Sequence, residues 1–168
     1  MAGKCLWLAV YIFILSCKFV HADEISKYPH YDKMTSFSAN IRLFKKLGMP
    51  TIGICSRLDE VGPEFLKPII TNRDLNIISE LLEPDDVRSA ECLSDIITRI
   101  DKPNRAIVKR LKIILISIKA INRLNPIPQR ERYNGWRHAP RGVGVCYALL
   151  ALTKEKKYKQ CVFEITQS

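Results

Sequence analysis

The chain has 168 residues, 47% of them hydrophobic and 26% charged, with 27 Lys and Arg against 17 Asp and Glu for a formal net charge of +10. Once a leader is set aside, nothing in the chain suggests a second domain, and one domain of the remaining size buries roughly two-thirds of its surface. The six cysteines and the uneven spread of charge carry most of what remains.

The first 22 residues have the three-part layout of a cleavable secretory leader. Lys4 forms a short basic start, Cys5 to Cys17 an apolar run, and Val20-His21-Ala22 a cleavage site of small or branched residues. The run stops at Lys18 after thirteen residues, short of the about 20 that a bilayer core requires. The most apolar later stretch, Ile113 to Ile121, is short and contains Lys119. The expectation is a secreted, extracellular chain without a membrane span, its residues 23–168 forming one disulfide-stabilised domain.

Cys55, Cys92, Cys146 and Cys161 remain after the leader. Four cysteines in a secreted chain read as two disulfides with three possible pairings. No C-x-x-C pair is present, and only His30 and His138 follow the leader, so no metal site is expected. No Asn-x-Ser/Thr glycan acceptor occurs either.

In chain order, residues 23–34 are polar and read as an extended lead-in. Phe37, Ile41, Phe44 and Leu47 recur at helical spacing over Ser36–Leu47, which Gly48 and Pro50 terminate. Thr51 to Leu58, with Cys55, reads as a loop or single turn. Gly62-Pro63 opens a short segment containing Phe65, Leu66, Ile69 and Ile70, bent near Pro68. Thr71 and Asp74 form a capping-box start for a helix that turns Leu75, Ile78 and Leu82 inward and ends before Pro84. Asp85 and Asp86 place negative charge where the next helix begins. That helix carries Val87, Ala90, Leu93, Ile97 and Ile100 as its stripe, with Cys92 beside it.

The strongest pattern spans 105–124, between Asn104 and Asn125-Pro126. Ile107, Leu111, Ile114, Ile118 and Ile121 repeat at steps of four, three, four and three, and Val108, Leu115 and Ala120 widen the stripe. Arg105, Lys109, Lys112, Lys119 and Arg123 form a cationic row on the other side. Residues 125–142 contain three prolines and show no helical period, a long loop for a compact domain. Residues 144–158 fit a helix followed by an extended tail.

The expected fold is all-α: a small secreted bundle of four to five helices around the central Ile-rich helix, with two disulfides. The alternative is α+β with a C-terminal β-hairpin, suggested by alternation at Val143, Val145 and Tyr147 and at Cys161, Phe163 and Ile165. A continuous helix over 144–158 would set Cys146 and Cys161 roughly 20 Å apart at about 1.5 Å per residue. A disulfide needs Cα atoms within about 7 Å. The expected bonds therefore join the C-terminal cysteines to Cys55 and Cys92, unless the helix breaks in the middle.

Charge divides the chain in two. Residues 23–98 hold 9 basic and 13 acidic side chains, whereas residues 99–168 hold 16 basic and 4 acidic. Such asymmetry points to an acidic partner or to pairing between the halves. The loop residues Arg130, Arg132, Tyr133, Trp136, Arg137 and Arg141 interleave guanidiniums with aromatics, types that grip anions and anchor interfaces. His30 and His138 could form a two-imidazole acid–base pair of the ribonuclease kind. No other catalytic motif, calcium loop or phosphate-binding lysine is present, and no cofactor is implied.

The functional expectation is a non-enzymatic binding or effector protein. It would engage an acidic extracellular protein, receptor or polyanion, and no intracellular nucleic acid, through the basic C-terminal half. The runner-up is a carrier with a lipid-like ligand in a bundle cavity, and the third reading is the ribonuclease-like enzyme.

Overall fold

A computed structural model describes residues 25–124 and 141–167. Residues 1–24, 125–140 and 168 lie outside the described residues. The described residues form eight helices and no strand: α1 (Phe37–Lys46), α2 (Thr51–Val61), α3 (Pro63–Ile69), α4 (Asn72–Leu81), α5 (Val87–Ile100), α6 (Arg105–Leu124), α7 (Val143–Thr153) and α8 (Lys156–Gln167). The fold is all-α, and the C-terminal segment is a pair of helices where a β-hairpin was the alternative. Eight helices replace the expected four to five: α2 stands where a loop was expected, α3 where a short bent segment was, and α8 where an extended tail was.

Local chemistry sets most of the boundaries. Ser36 caps α1 by accepting the amide of Ala39 at 3.3 Å, and Gly48, at φ +72°, ends it. The lead-in is tied to this helix by buried Asn40, which exchanges two 2.9 Å hydrogen bonds with the backbone of Asp32. Thr71 and Asp74 close the capping box of α4. Asp86 accepts the Ser89 amide at 3.0 Å to start α5. Asn104 accepts the Ile107 amide at 3.0 Å to start α6, whose bounds match the sequence pattern.

Helix α2 occupies the stretch expected to be a loop. Its Ile54, Cys55 and Leu58 are fully buried, and burial of such side chains outweighs the cost of Gly53 inside the helix, about 1 kcal/mol relative to Ala. Gly53 has its own reason, since a Cβ there would stand 3.0 Å from the Met49 side chain.

The centre of the fold is α5, where the sequence pattern pointed to the Ile-rich α6. It packs on α2, α3, α6 and α7. Ser89, Ala90, Leu93, Ser94, Ile96, Ile97 and Ile100 are all buried, wider coverage than a single stripe. Helix α6 forms a wall of the core, against α4, α5 and α7. Its Ile107, Leu111, Ile114, Leu115 and Ile118 are buried as expected, but Ile121 is half-buried and Ala120 is exposed.

The C-terminal expectations require correction. The chain leaves α7 at Lys154, which takes a left-handed conformation at φ 58°, and resumes as α8 at Lys156. The Thr153 hydroxyl stabilises the break by accepting the Glu155 amide at 3.2 Å. The fold-back brings Cys146 and Cys161 to a Cα separation of 6.0 Å, and they are bonded to each other. Cys55 is bonded to Cys92, at 6.2 Å between Cα atoms. Both pairings differ from the expected cross-links to the first half. The rise per residue separates the two cysteines only along an unbroken helix, and the break at Lys154 removes that constraint.

Candidate binding surface

The proposed loop site falls almost entirely outside the described residues. Arg130, Arg132, Tyr133, Trp136 and Arg137 lie outside the described residues, as does His138. Arg141 is described and exposed, its carbonyl accepting the Asn122 side-chain amide at 3.1 Å.

The cationic row is placed by α6. Arg105, Lys109, Lys112 and Arg123 are exposed, and Arg110 joins them on the outer face. Lys119 is half-buried and faces Glu164 of α8 at 3.7 Å. The row is not purely polar. Ile113, Ile116, Ala120 and Leu124, at steps of three, four and four, expose a second apolar stripe through it, with Ile116 at 70% and Leu124 at 80% exposure. In sequence this stripe is hidden by the inner one, because α6 is nearly continuous in apolar residues over 113–118. The spacing alone could have revealed it.

A groove of about 640 Å³ runs beside this face. Val108, Ile113, Ile116 and Leu152 supply apolar lining, and Arg105, Lys109 and Lys112 supply cations. The α5–α6 connection contributes Pro103 and Asn104, and no carboxylate lines the groove.

Ion pairs within the basic half absorb few of its cations. Lys154 meets Asp101 at 3.7 Å, Lys157 meets Glu155, and Lys119 meets Glu164. The Lys157 hydrogen bond holds the Glu155 carboxyl below the usual carboxylate range, and the charge of Lys112 adds to this. Arg99, at the boundary, bonds Asp95 and Asp59 of the acidic half. No described carboxylate comes within ion-pair distance of Arg105, Lys109, Arg110, Lys112 or Arg123, although the charge of Glu155 reaches Lys112.

Two ionic anchors, both missed in sequence, hold the start of the described chain onto α2 and the start of α7 onto α5. Arg57 of α2 is buried and donates to the carbonyls of Ile25 at 2.9 Å and Tyr28 at 3.0 Å, and to Glu60 at 2.8 Å. His30 joins this cluster, its Nδ1 lying 3.1 Å from Arg57 and 3.3 Å from Glu60. Burial pushes the Glu60 carboxyl up, but the hydrogen bond and charge of Arg57, helped by His30, hold it below its ordinary range.

Glu91 of α5 accepts the backbone N–H groups of Gly142 and Gly144, the latter at 2.9 Å, and so caps the start of α7. Burial raises its carboxyl above the ordinary range against the lowering effect of those two bonds. Gly142 sits at φ +100°, and a Cβ on it would stand 2.9 Å from Ile118. A Cβ on Gly144 would strike the Glu91 carboxylate. The Gly-Val-Gly sequence is thus a close-approach site for a carboxylate.

Among the described residues no cluster of His, Cys, Asp and Glu could hold a metal ion, and no helix is long and apolar enough to cross a membrane. No family model, curated protein or solved structure matches the chain.

Proposed function

We propose that this chain is a secreted, non-enzymatic binding protein that engages an acidic extracellular partner (a protein, receptor or polyanion) through its basic C-terminal half. One observation carries the reading: α6 presents Arg105, Lys109, Arg110, Lys112 and Arg123 to solvent with no described carboxylate paired to them. Of the two explanations for the charge asymmetry, neutralisation between the halves is supported, among the described residues, by ion pairs at Arg99 alone. Two disulfides suit an oxidising compartment.

Heparin chromatography tests this. Retention of the purified protein should fall steeply with salt, because released counterions drive such binding. Replacing Arg105, Lys109, Lys112 and Arg123 by Gln, or Arg130, Arg132, Arg137 and Arg141, should shorten retention more than replacing Lys27, Lys33, Lys45 and Lys46. Equal losses from the first-half set would mean that net charge alone is read, and would sink the reading.

The carrier is the second reading, favoured by the groove beside α6. It moves the ligand from an enclosed bundle cavity to the surface. The ribonuclease-like reading gains nothing, since His30 is engaged by Arg57 and Glu60.

A further inference from the structure

The groove beside α6 joins an apolar lining to a row of cations. Val108, Ile113, Ile116 and Leu152 offer no hydrogen bond, whereas Arg105, Lys109 and Lys112 bring three cations. These cations recur at steps of four and three along one edge of the helix, about 6 and 4.5 Å apart along its axis. We propose that this groove binds a single-chain anionic amphiphile, a long-chain carboxylate or monoacyl phosphate. Its chain lies over Ile113, Ile116 and Leu152, and its headgroup is held by the Arg105, Lys109 and Lys112 edge. The proposal rests on the carrier reading and names its ligand class.

Size and charge select this occupant over others. At about 640 Å³ the groove falls among small-ligand sites, which span about 300–1,000 Å³. A stable protein partner needs roughly 800 Å² on each side, and the apolar part of the groove is four side chains. The undescribed segment 125–140 is a poor complement, because it carries Arg130, Arg132 and Arg137 against Glu131 alone. A second copy would have to present its acidic half to this edge, and a flat bilayer would meet Ile116 and Leu124 without entering the concavity. Both are outcomes that the test separates.

The probe is cis-parinarate, a fluorescent long-chain carboxylate, titrated below its aggregation threshold into the purified full-chain protein with its disulfides formed. Saturable one-to-one enhancement is expected, displaced by laurate and by lauryl phosphate but not by butyrate or by neutral dodecyl maltoside. Lys109→Glu with Lys112→Glu should weaken binding about ten-fold or more, equivalent to about 1.4 kcal/mol. Ile116→Asp should weaken it comparably, and Lys45→Glu with Lys46→Glu should leave it unchanged. All these positions are exposed, and an unchanged melting midpoint confirms that each variant folds. Absent enhancement, equal affinity across the variants, or binding to phosphatidylglycerol vesicles without binding to the monomeric probe would overturn the proposal. So would enhancement that tracks dimer formation by light scattering. Heparin retention that persists while the probe fails to bind would sink the groove alone and leave the acidic-partner reading standing.

Discussion

The two halves of the molecule are each closed by their own disulfide, yet they are anchored by opposite means. Cys55–Cys92 links α2 to α5, whereas Cys146–Cys161 links α7 to α8. In the acidic half a buried cation, Arg57, gathers backbone carbonyls and a carboxylate. In the basic half a carboxylate lent by α5, Glu91, gathers backbone N–H groups at the start of α7. The first anchor is neutralised by Glu60, but the second is matched only by peptide dipoles and a helix N-terminus, whose partial positive charge favours an anion. Neither disulfide joins the halves; they are held together by the packing of α7 on α5 and of α6 on α4 and α5, and by the bonds that Glu91 and Arg99 make across the boundary.

The largest effect should come from the shared core. Ile114 is fully buried and Ile116 is 70% exposed, two residues apart on one helix. Ile114→Ala should cost about 2–5 kcal/mol in chemical denaturation. Ile116→Ala should stay within about 0.5 kcal/mol, as surface changes do. Similar costs for the two would mean that the outer stripe is covered.

Next come the disulfides. Replacing both Cys55 and Cys92 by Ala should cost about 4 kcal/mol, and replacing both Cys146 and Cys161 about 3 kcal/mol, because the closed loops span 37 and 15 residues. Peptide mapping without reduction should recover a Cys146–Cys161 pair. A Cys55–Cys146 or Cys92–Cys161 pair would break the picture of two separately closed halves.

Glu91 sharpens the comparison further. Glu91→Ala leaves two inward amides without their acceptor and should cost about 1–3 kcal/mol. The smallest effect is in pH. Because the folded Glu91 carboxyl is raised, the folded state holds its proton longer than the unfolded chain does. Its contribution to stability is therefore full below the ordinary carboxylate range and is lost as pH rises through the raised value. Melting midpoints of the wild type and Glu91→Gln, followed over that window, should diverge, with the downward slope absent from the variant. Parallel profiles would show that Glu91 titrates normally.

The chain's own chemistry determined much of this protein. The four-and-three repeat of α6 set its bounds and inner face, and Thr71 with Asp74, Ser36, Asp86 and Asn104 set helix starts, because caps act over three residues. The charge division was equally legible, since counting needs no geometry. Tertiary structure decided the rest. Helix α2 depends on distant side chains covering Ile54 and Leu58, and its Gly53 hid it from any local reading. Nothing in Thr-Lys-Glu-Lys announces a left-handed residue, which Gly or Asn would have done. Lys154 holds that conformation while α7 and α8 pack together through Cys146 and Cys161. The groove follows the same logic. Val108 and Leu152 lie 44 positions apart in sequence, and only the packing of α7 against α6 brings their side chains to one apolar floor beside Lys109 and Lys112.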